Sequence, residues 1–209
     1  MSDRYATGAE GEFQPGSDGQ VLRDRLGITD PSEMDEAELA LLHKLYEAVL
    51  DEGFPDRRIT VADLRQWHRL WLGNVYEWAG RERSVNLGKG GFHFAVAAQV
   101  PRLLEEFERG CLARYTPCHQ EEADAIEAIA ETHVEFILIH PFREGNGRLS
   151  RLLADVMAMQ AGHVSLDYSS CDEDKAGYIA AIRAGLSGDY APMRQHVAKA
   201  WSNAKGGPD

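Results

Sequence analysis

Between residues 140 and 151 the chain reads HPFREGNGRLSR. An imidazole, a carboxylate, a Gly-Asn-Gly turn and two guanidiniums stand in one short connection, and a plain turn between helices needs few of them. Gly145 and Gly147 tolerate positive φ, so the backbone N–H groups around Asn146 can converge into an anion-binding nest. The amphipathic stretch beyond, RLLADVMAMQAG, predicts a helix from about Gly147 to Ala161, whose unpaired N–H groups and dipole add positive potential at the same place. Arg148 falls in its first turn. Arg151, three residues on, lies on nearly the same face, so both guanidiniums can grip a polyphosphate bidentately. Glu144 is a poor phosphate contact, yet a carboxylate beside phosphates commonly serves Mg²⁺ as a protein ligand. His140 has an ordinary pKa near neutrality and can take the proton of an attacking hydroxyl, an effect worth about 10²–10⁴ in rate.

Each piece alone also has a structural reading. A helix-end histidine, glycines between helices and an Arg-x-x-Arg surface are common without chemistry. A His-x-x-x-Glu zinc pair is disfavoured, because Pro141 and Gly145 break the helical register that would align the two side chains. GxxxxGK[ST] does not occur, so the usual P-loop account of phosphate binding does not apply. The combination in one order is what points to chemistry.

The surrounding elements read as mainly helical. Leu39, Leu42, Leu45, Tyr46 and Val49 give residues 36–52 a helical period that Gly53 stops, and a second helix follows Thr60 through LRQWHRLWLG. The glycine-rich stretch 74–95 changes character. Its pieces SVNL and FHFA flank the turn-forming GKGG, which predicts a β-hairpin. Helical periodicity returns over 97–113 and 121–140, where Pro141 halts it. After the helix of 147–161, ended by Gly162, shorter helices are expected near 173–186 and 191–203. Phe142 reads as a packing anchor for the connection.

With 209 residues the chain can bury one full core. Its formal net charge of −12 argues against general affinity for nucleic acid or anionic membrane, so the arginines of this segment fit a small local anion better. Cys111, Cys118 and Cys171 are odd in number and lack C-x-x-C spacing, which predicts reduced thiols in a cytoplasmic setting. No apolar run approaches transmembrane length, and the N-terminus shows no apolar signal region. The expected organisation is a loose arm over 1–20, a single domain over 21–203 and a flexible tail over 204–209.

The run His140-Pro-Phe142-Arg-Glu144-Gly145-Asn146-Gly147-Arg148-Leu-Ser-Arg151 resembles the Fic family signature H-x-F-x-[DE]-G-N-G-R-x-x-R at every fixed position. LRDRLGITDPSEMDEAE and NVYEWAGRERSVNLGKGGFHFA are also similar to the opening segment and flap of short bacterial Fic proteins, so the likeness spans about residues 20–200. The resemblance implies a Fic-type helical bundle with one β-hairpin flap near the active site. It further implies transfer of AMP from ATP to a Ser, Thr or Tyr hydroxyl of a target protein, with release of pyrophosphate. Carried over by position, His140 is the base, Glu144 holds Mg²⁺, and Gly145, Asn146 and Gly147 cradle the phosphates, Asn146 at the α-phosphate. Arg148 and Arg151 would grip the outer phosphates. The hairpin residues Lys89, Gly90, Gly91, Phe92 and His93 would receive the target segment by strand pairing.

Gly147 stands where the kinase-like Doc branch carries Lys, which favours adenylylation. Many relatives are silenced by a helix bearing [ST]-x-x-x-E-[GN], whose Glu would here meet Arg151. Thr29 to Glu33, Ser32 to Glu36 and Ser169 to Glu173 have the spacing, but Met34, Ala37 and Asp174 follow them, so no full motif is found. The resemblance therefore implies a toxin restrained in trans by a small helical antitoxin, and a B-type subunit of DNA gyrase or topoisomerase IV as a target of the kind its likenesses modify. Two other readings stay open: transfer of phosphate or UMP by the same site, and a non-catalytic nucleotide-binding partner protein.

Overall fold

A computed structural model of the protein describes residues 9–204. Residues 1–8 and 205–209 lie outside the described residues, and with them part of the expected arm and almost all of the expected tail. Residues 9–22 form a closed loop. Phe13 bridges Leu22 in antiparallel fashion, and Gln14 N donates to Val21 O at 2.9 Å.

The chain divides into two compact units. The first gathers the residues up to Phe54 with Val61–Leu104 and His140–Asn146. Its helix α1, Pro31–Tyr46, starts where it does for local reasons. Asp30 Oδ1 accepts from Ser32 N at 2.9 Å and Glu33 N at 3.0 Å, and Pro31 occupies a first-turn position whose N–H has no helical partner. The helix runs on into a π-helical turn, Glu47–Glu52, that ends at Gly53. Helix α2, Val61–Leu72, packs on α1 and turns Trp67, Trp71 and Leu72 into the core. Trp71 is fully buried, and its indole N–H donates to Glu38 O at 2.8 Å. The buried Glu38 carboxylate accepts from Tyr76 Oη at 2.8 Å, so this polar group inside an apolar unit is hydrogen-bonded.

The same unit carries the hairpin, strands β1, Gly88–Lys89, and β2, Phe92–His93, joined by Gly90 and Gly91. Both linking glycines have positive φ, +57° and +74°, as a two-residue turn that follows strand twist requires. The strands are shorter than SVNL and FHFA suggest. Leu87 O still receives Phe94 N at 3.1 Å, but the carbonyls of Val85 and Ala95 accept from the Arg83 guanidinium.

The second unit holds Pro55–Thr60, Glu105–Ile139 and the chain from Gly147 onward. Helix α3, Val100–Phe107, leads into it, followed by a π-helical turn at Glu108–Leu112 and the single turn α4, Ala113–Tyr115. Helix α5, Glu122–Ile139, packs against α9, Ala191–Ala204, and α9 against both α7, Ser169–Glu173, and α8, Lys175–Ala184. Helix α6, Asn146–Gln160, begins on the last residue of the first unit and buries Leu149, Leu152 and Leu153. The helix expected near 173–186 is α8, which Asp174 caps with Oδ1 accepting from Gly177 N at 2.9 Å and which runs into a 3-10 turn at Gly185–Ser187, whereas the short α7 before it was not expected. Cys111, Cys118 and Cys171 are buried free thiols, and burial pushes the thiols of Cys111 and Cys118 up to about 12 and about 11, which keeps them protonated. Among the described residues no helix is long and apolar enough to cross a membrane.

Candidate active site

Helix α5 ends at Ile139, and His140 turns the chain with φ +50°. Proline at the next position disfavours the right-handed helical conformation for His140, and the left-handed one reverses the chain at once. The His140 imidazole stacks on Phe94, ring centroids 3.7 Å apart and planes 15° apart. Its backbone carbonyl accepts from Arg83 Nε at 2.6 Å, and Arg83 N donates to Pro141 O at 2.8 Å.

Phe142 is buried, as a packing anchor should be, and lies parallel to His68 with ring centroids 4.0 Å apart. Gly80 N donates to His68 Nδ1 at 2.8 Å, which leaves Nε2–H to donate to Glu144 O at 3.1 Å. Burial pulls the His68 pKa down to about 4, so the neutral ring with that tautomer persists at neutral pH. One imidazole thus holds both the aromatic anchor and the carbonyl of the acidic residue.

Glu144 is exposed, and its Oε1 accepts from Gly145 N at 2.9 Å. Gly145 adopts φ +81°, and a Cβ there would come within 2.6 Å of the Trp71 ring. Glycine is required twice over, for its backbone conformation and for the approach of the indole. Asn146 is 2% exposed, and its amide staples the loop: Oδ1 accepts from Phe142 N at 2.9 Å and Nδ2 donates to Phe142 O at 2.8 Å. Its side chain is therefore committed to the loop, and its backbone N–H stands in the first turn of α6.

Farther along α6, Gly147 is exposed and Arg148 is half-buried. Arg151 is oriented on two sides. Its Nη2 and Nη1 donate to Asp172 Oδ1 and Oδ2 at 2.7 and 3.3 Å, and its guanidinium carbon lies 4.8 Å from the Tyr168 ring centroid. The Arg151 guanidinium in turn holds the Asp172 carboxyl below its usual range. Beneath this turn the buried His133 accepts from Tyr178 Oη at 2.5 Å through Nε2, with Nδ1 at 3.4 Å from Ser150 O. Burial lowers the His133 pKa to about 4 as well. On the hairpin, Lys89, Gly90, Gly91 and His93 are exposed and Phe92 is half-buried.

Within the first unit, then, the structure brings together His140, Phe94, Arg83, His68 and Glu144, of which only His140 and Glu144 are foreseen as site residues. Arg83 and His68 carry no local signal, since each reaches its partner across 57 and 76 positions. Asp172 lies inside the Ser169–Glu173 spacing but is not its terminal acid.

Comparison with protein families matches residues 58–158 to the Fic/DOC family. The chain is 32% identical over 178 residues to the probable protein adenylyltransferase y4lH of Sinorhizobium fredii, covering 85% of this chain and 89% of that one. It is 27% identical to the probable protein adenylyltransferase Fic of Escherichia coli, over 98% of each. Among solved structures, the N-terminal Fic domain of a Bartonella effector protein superposes with a TM-score of 0.80 at 20% identity, covering 98% of this chain and 97% of that one. The BepC protein of Bartonella tribocorum, solved with bound AMPPNP, gives 0.69 at 22% identity over 86% of this chain and 91% of its own. The mainly helical fold with its small antiparallel hairpin matches those Fic domain structures, and the chain belongs to the Fic/DOC family.

Proposed function

We propose that this protein is a protein adenylyltransferase that moves AMP from ATP to a hydroxyl of a target protein and releases pyrophosphate. The observation that carries this reading is the segment His140–Arg151. Its Gly145 is left-handed at the start of a helix, a stacked histidine precedes that turn, and an arginine oriented on two sides follows it. Two similar proteins are named probable protein adenylyltransferases, and a similar fold was solved with bound AMPPNP.

In this reading the first N–H groups of α6 and its dipole bind the phosphates, with Arg148 and Arg151 on the outer ones. Asn146 contributes through its backbone N–H while its side chain keeps the loop closed. His140 takes the proton of the target hydroxyl as its oxygen attacks the α-phosphorus, and the α–β bond breaks in line with pyrophosphate leaving. Glu144 would hold Mg²⁺. An exposed carboxylate oxygen donor beside a phosphate nest suits that hard cation, which takes one or two carboxylates and draws its remaining oxygens from phosphates and water. Bound there, the ion would neutralise phosphate charge. The hairpin, with Lys89 to His93, would hold the target chain as an added strand, so backbone pairing aligns the hydroxyl while target sequence stays loosely specified. The three buried free thiols fit a reducing, cytoplasmic setting.

The lack of a complete [ST]-x-x-x-E-[GN] motif supports restraint by a separate antitoxin and a toxin role, with a gyrase or topoisomerase IV B-type subunit as a candidate target. Labelled ATP incubated with the protein and host lysate should label a distinct band, with one AMP per modified chain. Recovery from the native host should bring a small helical partner with it. A phosphate or UMP adduct, or no adduct at all, would overturn the assignment.

A further inference from the structure

Arg83 is 2% exposed, yet it carries a full guanidinium into the first unit. Nε donates to His140 O at 2.6 Å, Nη1 to Val85 O at 2.6 Å, and Nη2 to Ala95 O. Val85 precedes the hairpin and Ala95 follows it, so one side chain gathers both legs of the hairpin and the carbonyl of His140. Ala95 also follows Phe94, whose ring stacks on the His140 imidazole. The distance between the two stacked rings is thus set by two carbonyls on a single rigid fork. His140 meanwhile holds φ +50°, a conformation costly for a residue with a side chain and kept only when its surroundings over-determine it. The bonds from Arg83 to the carbonyls of His140 and Pro141 supply that determination.

We propose that Arg83 is a positioning residue. It holds the His140 imidazole flat against Phe94 and fixes the direction in which the ring nitrogen meets the target hydroxyl. This rests on the proposed AMP transfer for its catalytic consequence, and on the hydrogen bonds alone for its geometry. Lysine cannot reproduce it, since a single ammonium on a flexible stem does not span diverging carbonyls in a fixed plane.

Arg83→Lys should lower kcat for AMP transfer by about 10- to 100-fold, the scale of a misaligned reacting group, while KM for ATP stays within about twofold. In the wild type, the ring current of Phe94 should shift the His140 ring protons upfield in carbon-detected NMR. In Arg83→Lys and in Phe94→Leu these resonances should move toward free-imidazole positions, and kcat of the double variant should fall no further than that of the worse single variant. Wild-type Arg83 Hε should exchange slowly with water and show contacts to His140, a measurement independent of whether any variant folds. Unchanged His140 resonances and kcat in Arg83→Lys, multiplicative losses in the double variant, or a rapidly exchanging Hε would overturn the proposal. A wild type with shifted His140 resonances that transfers nothing from ATP would instead reject the enzymatic reading and leave the geometry standing.

Discussion

Replacing His140 with alanine removes the imidazole and leaves the phosphate-binding backbone in place. Transfer should fall by about 10²–10⁴ while the affinity for a non-hydrolysable ATP analogue, measured by calorimetry, stays within a few-fold. Arg151→Ala should do the reverse in emphasis. The guanidinium held by Asp172 and Tyr168 is proposed to bind phosphate, so the calorimetric affinity should drop by about tenfold or more, as expected for a charge-assisted contact. Equal analogue affinity in Arg151→Ala would remove it from the nucleotide site. The roles proposed for these residues were open to reading because HPFREGNGRLSR sets the residue types side by side in one run. His68, Arg83, Trp71 and Asp172 were not, because each acts through a contact that only folding creates. The amide of Asn146 shows a related limit. Its two hydrogen bonds to Phe142 close the loop, a structural role that its residue type alone does not announce.

Among the elements, the stops at Gly53 and before Pro141 followed local chemistry and could be read closely, whereas the start of α1 could not. The Asp30 cap and Pro31 start α1 ahead of its apolar period, which is why the helix begins at residue 31 where periodicity alone suggests 36. Asp30→Ala should cost about 0.5–2 kcal/mol of stability in urea unfolding, with kcat of the folded protein unchanged. The hairpin was legible in kind and place, less so in length, because no sequence pattern announces that Arg83 takes the Val85 carbonyl, which the next ladder pair would use. The loop before α6 offers a sharper check. Gly145→Ala places a methyl group against Trp71 and forces φ +81° on a residue with a side chain. It should lower the melting temperature by several degrees, and a variant as stable as the wild type would contradict the packing described.

Across the whole molecule, two buried histidines contribute most visibly to how stability changes between pH 6.5 and 4. His68 and His133 each have a folded pKa of about 4 against an ordinary value of 6.5. The unfolded chain therefore takes up these protons first as pH falls. The stability each contributes is complete above about 6.5, declines between 6.5 and 4, and changes no further below 4. Burial of this kind amounts to on the order of 3 kcal/mol per histidine. Urea unfolding at stepped pH should show that decline, and His68→Gln should flatten part of it; a flat profile from 6.5 to 4 would contradict the neutral, buried assignment. AMP transfer is read out most simply by intact-mass analysis of a target protein incubated with ATP, Mg²⁺ and the purified protein. The wild type should add one AMP, and His140→Ala should abolish that increment. A phosphate increment would rule out adenylyl transfer, and undiminished AMP transfer without the imidazole would rule out His140 as the base.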